Sequence, residues 1–376
     1  MKIATIILAA GLSRRMGVLK PLLPVGGTTA VLRTVHIAKS AGAGDVFLVT
    51  GYRHEDIRQA VINNAPDVQY IYNSEYNDGM FSSVLAGVSA LPPETDALLL
   101  LPADCCAVSP DTLTALLRAF SESDGKTVIY PTFSGRHGHP PLIPARAFKA
   151  LLDYTGERGL AGYLRTCRTR DLDVPDPGIM LDMDTPKDYA ALLEHIGLPS
   201  YPDREACRAL LRRYCVPEDI VAHGEQVAAL ALHIADLIEQ SGGGINRDLL
   251  ESACLLHDIA RHEPNHAQAG ARLLIREGHP RAAILVAAHM DAPEDARAAA
   301  AVDESAILFL ADKLCRRGQI IPLENTLEAM RRKFAGDPAA MSAATGRVEY
   351  AIKIMERICA RFGIEAADIA GFSPGS

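Results

Sequence analysis

The sequence predicts an α/β domain built on a mostly parallel sheet, followed by an all-α domain. Its 376 residues are more than one ordinary core supports, so two domains are expected. In the first half, short apolar runs alternate with helical patterns, which is typical of a parallel sheet covered by helices. In the second half the strand signal disappears and apolar residues recur at helical spacing. Two prolines between residues 197 and 202 mark a linker, and we expect domains over residues 1–198 and 203–370.

The individual elements follow from the same patterns. Strands are predicted from short β-branched or leucine-rich runs at residues 3–9, 46–50, 68–72, 97–101 and 127–130. A last strand is predicted to end near Met183, and Thr185-Pro186 to begin the closing helix, because proline is well tolerated at the first helical position. Inward helical stripes are predicted at Val227, Leu230, Ile234 and Leu237, at Leu250 and Ala253, and at Ile307, Leu308 and Ala311.

Composition and charge narrow the class of ligand and the compartment. The net charge of −8 gives no basic surface for nucleic acid, so small molecules are the expected partners, and a homo-oligomer is left open. Eight cysteines without a CxxC pair favour a reducing compartment. The apolar run at the N-terminus is short and is followed at once by Arg14 and Arg15, so it is interpreted as a buried strand. No stretch is long and apolar enough to span a bilayer, so we expect a soluble, cytoplasmic protein without a membrane partner.

The first candidate site begins where the first predicted strand ends. The string LAAGLSRRMG over residues 8–17, followed by KPLLP over residues 20–24, combines small residues with cations. Small residues let backbone N–H groups approach a triphosphate, and Arg15 and Lys20 can neutralise charge on an α-phosphorus under attack. A tight turn beside a solvated basic patch is the alternative, but the complete string favours phosphate binding.

Three aspartates are placed to hold a metal ion beside this loop. Asp104 follows the apolar run LLLLPA, at the sheet edge where α/β proteins bind ligands, and is predicted to bind Mg²⁺. Asp182 and Asp184 are two residues apart, so on a strand they would share one face, and Asp184 is the preferred second ligand. The alternative is that these acids cap turns or helix starts, as Asp184 could for the helix at Thr185.

The helical half contains a second group of candidate ligands. His223, the pair His257-Asp258, and Asp312 fall on three separate predicted helices and follow the apolar faces inward. An isolated buried aspartate would be unfavourable, whereas two imidazoles and two carboxylates around a divalent ion satisfy one another. Such a mixed nitrogen and oxygen set suits iron, manganese or zinc.

A second ion can be accommodated beside the first. His266 and His289 are its candidate ligands, with Asp258 bridging the two ions and Arg261 holding a substrate phosphate. The expected chemistry is activation of a water for attack on phosphorus. Each histidine taken singly is more readily explained as a hydrogen-bonded core or surface residue, but the set favours metal binding. Substitutes, if the helix registers differ, are His233, His279 and His262, of which the last is expected at the surface.

These motifs give the first half a resemblance to a known family. The strings LAAGLSRRMG, KPLLP, NSEYNDGMFSSV, LPAD, GRHGHPPLIP and LDMDTPKDY look like those of the molybdenum-cofactor nucleotidyltransferases, the MobA-like NTP transferases, and they cover nearly all of residues 1–195. The resemblance implies a Rossmann-like fold that binds an NTP and Mg²⁺. It implies a nucleotide site at Leu8, Ala9, Ala10, Gly11, Arg15 and Lys20, a ribose and base site at Gly79, Ser82 and Ser83, and magnesium ligands at Asp104 and Asp184.

The same resemblance suggests the reaction. Ala10 stands where the guanylyltransferase branch usually has a second glycine, which favours CTP as the donor. The acceptor phosphate would attack the α-phosphorus in line, with pyrophosphate leaving and without a side-chain nucleophile. The implied acceptor is molybdopterin, and a sugar phosphate or another phosphorylated metabolite is the alternative.

The second half resembles the HD phosphohydrolase superfamily over about residues 203–365. The strings that carry the resemblance are AHGEQVAALALHIA, ACLLHDIAR, HAQAGARLL, AAHMDAP and ILFLADKL. They imply a first set of ligands at His223, His257, Asp258 and Asp312, with His266 and His289 added as in dinuclear members. We therefore expect a cytidylyltransferase joined to a metal-dependent phosphohydrolase. The alternative makes the helical half a nucleotide-sensing module that regulates the transferase.

Overall fold

A computed structural model of the chain describes residues 1–290, 302–316 and 319–372. The chain divides into two units, Met1–Leu198 and Pro199–Ser376. The string AAHMDAP ends at residues 291–293, which lie outside the described residues.

The first unit is an α/β domain. Its strands are β1 (Ile3–Ala9), β2 (Pro24–Val25), β3 (Thr28–Thr29), β4 (Asp45–Thr50), β5 (Gln69–Tyr72), β6 (Ala97–Pro102), β7 (Val128–Phe133), β8 (Arg136–His137), β9 (Leu142–Pro144) and β10 (Thr169–Asp173). Its helices are α1 (Ala30–Ser40), α2 (His54–Ile62), α3 (Met80–Ser89), α4 (Pro110–Ser121), α5 (Phe148–Leu152), α6 (Gly159–Leu164) and α7 (Pro186–His195).

An eight-stranded sheet in the order β10-β7-β9-β6-β1-β4-β5 forms the centre of this unit, with β8 paired to β7. Strand β1 runs parallel to both β4 and β6, so that Leu8 pairs with Val49 on one side and with Pro102 on the other. Strand β9 is antiparallel to its neighbours β6 and β7. The mostly parallel sheet is therefore confirmed, and the carboxyl ends of β1, β4 and β6 meet at one edge.

Alternate residues of the central strands enter two apolar cores on opposite faces of the sheet. Ile7 and Leu99 pack in the core that contains residues of α1, α2 and α4. Ile6 and Leu98 pack in the core that contains residues of α3, α5 and α6. Because both faces are covered, the central strands are mostly apolar, which is why their sequences predict strands clearly.

The last part of the first unit differs from the sequence prediction, and the short strands β2, β3, β8 and β9 were not predicted. The strand predicted to end near Met183 is wrong, because residues 181–183 form no strand and Pro177–Met180 form a 3-10 helix. The last strand of this unit is instead β10, four of whose five residues are exposed. The predicted helix start is confirmed. Thr185 caps α7, and its side chain and that of Asp188 exchange hydrogen bonds with each other's backbone N–H groups.

The second unit is helical. Its helices are α8 (Arg204–Arg213), α9 (Glu218–Gln240), α10 (Arg247–Leu256), α11 (His266–Arg276), α12 (Pro280–Ala288), α13 (Glu304–Leu314), α14 (Leu323–Lys333), α15 (Pro338–Phe362) and α16 (Ala366–Ala370). Two strands of two residues each, β11 (Cys315–Arg316) and β12 (Gln319–Ile320), pair antiparallel and were not predicted.

The predicted stripes form the core of the second unit. Leu250 and Ala253 of α10 are fully buried, as are Ile307, Leu308 and Ala311 of α13. On α9 the first three residues of the stripe are buried, but Ile238 replaces the half-buried Leu237 as the fourth. Among the described residues, no helix combines the length and the apolar character needed to cross a bilayer.

Substitutions at two glycines between α1 and β4 test how closely this loop packs against β1. Gly42 and Gly44 both have left-handed φ values, of 65° and 73°. A Cβ on Gly42 would meet no atom within 4 Å, whereas a Cβ on Gly44 would overlap the carbonyl oxygen of Ile3. We therefore expect Gly42→Ala to lower the free energy of unfolding by about 1–2 kcal/mol and Gly44→Ala by about 2–5 kcal/mol. Scanning calorimetry of both variants checks this, and equal melting temperatures would contradict it.

Candidate functional site

A cavity of about 420 Å³ opens at the carboxyl ends of β1 and β6. This volume is in the range of small-molecule sites. Its lining residues are Leu8, Ala9, Ala10, Gly11, Leu12, Ser13, Arg14, Arg15, Met16, Lys20, Pro21, Tyr76, Asn77, Gly79, Met80, Ser83, Pro102, Ala103, Asp104 and Asp184. The structure thus brings together the residues predicted for the first site except Ser82 and Asp182, which do not line the cavity.

The loop after β1 is shaped by its own backbone. The Tyr52 N–H donates to the Ala10 carbonyl oxygen at 3.2 Å, which fixes the start of the loop. Ser13 has a left-handed φ of 51°, and its carbonyl oxygen accepts from the Gly17 N–H at 3.1 Å. A Cβ on Gly11 would meet no atom within 4 Å, so this part of the loop faces open space in the cavity. A phosphate can therefore approach the backbone there closely.

Opposite charges meet at the floor of this cavity. The Lys20 ammonium contacts Asp104 Oδ2 and lies 2.8 Å from Asp184 Oδ1. Arg15 Nη1 lies 2.8 Å from Asp184 Oδ2. Burial by itself lowers the pKa of Lys20, but the two carboxylates outweigh it and raise that pKa above its ordinary value. The hydrogen bond from Lys20 lowers the pKa of Asp184, so both groups stay charged.

Asp182 has a different place from the other two acids. Its Oδ1 accepts from the Asp184 N–H at 3.1 Å and so supports the turn before α7. It does not line the cavity. Burial raises its pKa. The residue that caps α7 is Thr185, so Asp184 is free of the capping role considered as its alternative.

The serines after Gly79 are held by a residue that the sequence analysis missed. Asn73 is buried, and its Nδ2 donates to Ser82 Oγ at 2.9 Å and to Ser83 Oγ at 3.0 Å. The Ser82 hydroxyl also lies within hydrogen-bond distance of the Glu75 and Gly79 carbonyl oxygens, so it is engaged within its own loop. Asn73 follows β5 directly, and a polar residue at the carboxyl end of a strand was the available signal.

The second group of candidate ligands gathers within the helical unit. His223 is on α9, His266 is the first residue of α11 and Asp312 is on α13. His257 and Asp258 were predicted to lie within a helix, but they lie just after the last residue of α10. His289 follows α12 in the same way. The ends of helices therefore supply four of the six residues, and only His223 and Asp312 lie in the interior of a helix.

Two sets of ligand atoms share Asp258. One comprises His223, His257 and Asp258, and the other comprises Asp258, His266 and His289, each with its donor atoms within 4.8 Å of one another. Asp258 Oδ2 lies 3.6 Å from His257 Nε2, and its Oδ1 lies 3.2 Å from His266 Nε2. Because the two oxygens face different sets, this carboxylate has the geometry of a bridge.

Asp312 lies beside the two histidines of the first set. Its Oδ1 lies 3.2 Å from His223 Nε2 and 3.6 Å from His257 Nε2. Its Oδ2 accepts from Lys313 Nζ at 2.5 Å. Burial would raise the pKa of Asp312, but Lys313 and the imidazoles outweigh it and hold that pKa well below its usual range. Lys313 was missed by the sequence analysis, and adjacency to Asp312 was its only signal.

The tautomers of two histidines favour a metal ion over internal hydrogen bonds. His257 Nδ1 donates to the Cys254 carbonyl oxygen at 2.8 Å, and His289 Nδ1 donates to that of Val286 at 2.6 Å. In its neutral form, each ring therefore has its lone pair on Nε2. Within the described residues, both Nε2 atoms are buried and without a hydrogen-bond partner. Such orphaned nitrogens beside carboxylates fit a transition-metal site.

The remaining predicted residues lie at the margin or elsewhere. Arg261 Nη1 lies 3.3 Å from Asp258 Oδ1 and 3.1 Å from His266 Nε2, with half of its side chain exposed. His262 has 72% of its side chain exposed, as expected. His233 Nε2 donates a hydrogen bond to the Asp368 carbonyl oxygen, and His279 lies just before α12. Neither belongs to the ligand sets found in the described residues.

Replacing one histidine tests the metal site directly. We expect His257→Ala to lose most bound manganese or iron, because the variant removes a ligand of the first set. The neighbouring His262→Ala is the matched control and should keep its metal, since that side chain is exposed. Elemental analysis of the dialysed proteins measures the difference. Equal metal content in the two variants and the unaltered chain would contradict the assignment.

Comparison with known proteins gives relatives for the first unit. The molybdenum cofactor cytidylyltransferase of Escherichia coli is 28% identical over 189 residues, which is 50% of this chain and 94% of that one. The bifunctional protein GlmU of Pelobacter propionicus is 32% identical over 153 residues, 40% of this chain and 33% of that one. Among solved structures, Rv0371c of Mycobacterium tuberculosis has a TM-score of 0.44 at 25% identity and covers 52% of this chain and 98% of its own.

Family models match both halves of the chain. The model described as "MobA-like NTP transferase domain" matches residues 5–172. The model described as "HD domain" matches residues 220–317. The two matches fall within the α/β unit and the helical unit described above. The chain is thus a nucleotidyltransferase enzyme that joins a MobA-like NTP transferase domain to an HD domain.

Proposed function

We propose that the α/β unit transfers CMP from CTP to the phosphate of a molybdopterin-type acceptor and releases pyrophosphate. The observation that carries this proposal is the cavity in which the loop after β1 faces Lys20, Asp104 and Asp184. The Escherichia coli relative, named a molybdenum cofactor cytidylyltransferase, supports the choice of base and acceptor. Ala10 also supports CTP, because it stands where the guanylyltransferase branch of the family usually has a second glycine.

The cavity suits a triphosphate flanked by cations. Backbone N–H groups near Gly11 can contact the phosphates, and Arg15 and Lys20 line the same cavity. Magnesium held by Asp104 and Asp184 would supply further positive charge against the phosphorus under attack. The residues of this chain orient the triphosphate, and they stabilise the charge that develops as pyrophosphate departs.

Direct transfer without an enzyme-bound intermediate is favoured by the composition of the cavity wall. Among the described residues, no cysteine or histidine lines the cavity. Cys105 and Cys106 follow Asp104 but are buried, and burial raises the pKa of Cys106 to about 12. Such thiols stay protonated and are poor nucleophiles. The acceptor's own phosphate can attack the α-phosphorus in line.

Neutralising one acid tests the transferase proposal. We expect Asp104→Asn to lower pyrophosphate release by about 10²-fold or more, because the amide keeps the shape but removes the charge that faces the cation. The control is Asp153→Asn, an exposed acid at the end of α5, which should have normal turnover. The assay uses each NTP with molybdopterin and with sugar phosphates. Normal turnover by Asp104→Asn would refute the site, and transfer to sugar phosphates alone would refute the acceptor.

We further propose that the HD domain hydrolyses a phosphate ester or anhydride. The supporting observation is the shared Asp258 between two ligand sets that each contain a histidine Nε2. Bound transition-metal ions would supply Lewis acidity toward a phosphate and a water. Arg261, exposed at the edge of the second set, can hold a phosphate oxygen once it leaves Asp258 and His266.

Phosphate release tests the hydrolase proposal. With manganese or iron present, the full chain should release phosphate from nucleotides or phosphomonoesters, and His257→Ala should not. The Asp104→Asn variant should hydrolyse normally, because its change lies in the other unit. Tight nucleotide binding by the HD domain without any turnover would contradict hydrolysis and favour a sensing module.

A further inference from the structure

The acids of the transferase cavity are already paired with protein cations. Lys20 contacts one oxygen of Asp104 and one of Asp184, and Arg15 contacts the other oxygen of Asp184. Two carboxylates therefore face two cations. Asp182 adds one negative charge beside them, since its carboxylate accepts the Asp184 N–H. The Lys20 ammonium is mostly buried, with 16% of its side chain exposed, so its position between the acids is sheltered from water.

We propose that Lys20 is a displaceable placeholder for the divalent cation: its ammonium occupies the acid pair until a nucleotide's phosphates draw it away. This inference rests on the proposed nucleotidyl transfer. It assigns to the site an order of loading, in which the metal ion and the nucleotide enter together. Without nucleotide, the acids bind the ammonium and exclude the metal ion.

Electrostatics gives the reason for exclusion. A divalent cation bound between Asp104 and Asp184 would need the oxygens that Lys20 now contacts, and it would meet a positive charge at hydrogen-bond distance. In a partly buried site that repulsion is only weakly screened by water. Magnesium also gives up its own water shell reluctantly. We therefore expect the divalent cation to bind weakly while the ammonium remains between the acids.

The local backbone allows the ammonium to leave without a change of fold. The Lys20 N–H donates to Ser13 Oγ at 3.1 Å, and its carbonyl oxygen accepts from the Leu23 N–H at 3.0 Å. The main chain at Lys20 is thus fixed to the loop after β1, while the four-carbon side chain can rotate. Lys20 and the loop line the same cavity, so a bound triphosphate lies within reach of the ammonium. Arg15 has 75% of its side chain exposed, so its guanidinium can also leave Asp184 and turn toward the triphosphate.

This proposal differs measurably from a role in phosphate binding alone. If Lys20 only binds phosphate, its removal weakens nucleotide binding and leaves nucleotide-free metal binding unchanged. If Lys20 is a placeholder, its removal also creates a metal site in the absence of nucleotide. The two effects have opposite signs, so a general loss of structure cannot produce both.

The experiment measures Mn²⁺ binding to the full chain by equilibrium dialysis. Each protein is compared with a reference that differs only by Asp104→Asn, and the Mn²⁺ bound per chain by the reference is subtracted so that ions at the HD domain cancel. We expect this difference in bound Mn²⁺ to be near zero for the unaltered chain without nucleotide, and near one with a non-hydrolysable CTP analogue. Lys20→Met should show a difference near one without nucleotide. Nucleotide should raise the Mn²⁺ affinity of the unaltered chain at least about 10-fold, and that of Lys20→Met less than about 3-fold.

Two controls complete the test. Lys20→Arg keeps the charge and should behave as the unaltered chain without nucleotide, and Lys126→Met, at an exposed loop lysine, should do so throughout. A nucleotide-free Mn²⁺ affinity that is equal in the unaltered chain and in Lys20→Met would overturn the placeholder. Failure of every NTP to bind, measured by calorimetry, would instead overturn the proposed transfer. The nucleotide-free comparison of the two proteins keeps the two failures apart.

Discussion

A carboxylate that is removed from water must face a cation or several hydrogen-bond donors. This constraint shapes both candidate sites. In the α/β unit, Asp104 and Asp184 converge on the Lys20 ammonium. In the helical unit, Asp258 and Asp312 face imidazoles, Arg261 and Lys313. Each group of acids is compatible with folding only because positive or donor groups meet it.

The two sites meet the constraint in different ways. Lys20 lies between its acids and contacts the oxygens that would bind a metal ion. Lys313 lies on the outer oxygen of Asp312 and leaves Oδ1 facing His223 and His257. Within the described residues, the Nε2 atoms of His257 and His289 have no hydrogen-bond partner, whereas the oxygens of Asp104 and Asp184 contact a protein cation. This contrast supports the proposals that the helical site holds a resident transition metal and that the other site takes up its metal ion together with the nucleotide.

The sequence predicted the parts of the fold that have a strong apolar signal. The central strands are buried on both faces, so their runs of leucine and isoleucine are unambiguous. The edge strand β10 is mostly exposed and has no such signal, so a strand was predicted near Met183 instead. Most candidate site residues could be named because they follow strands or lie beside apolar stripes. Contacts such as Lys313 with Asp312 depend on rotamers, which sequence spacing does not determine.

A crystal soaked with Mn²⁺ and a non-hydrolysable CTP analogue tests the central claim most directly, through anomalous scattering from manganese. The account predicts one peak between Asp104 and Asp184, with the Lys20 ammonium turned to the phosphates, and further density at the Nε2 atoms of His257 and His289. Maps without anomalous density at either cluster, and with Lys20 still between the two acids beside a bound nucleotide, would contradict it.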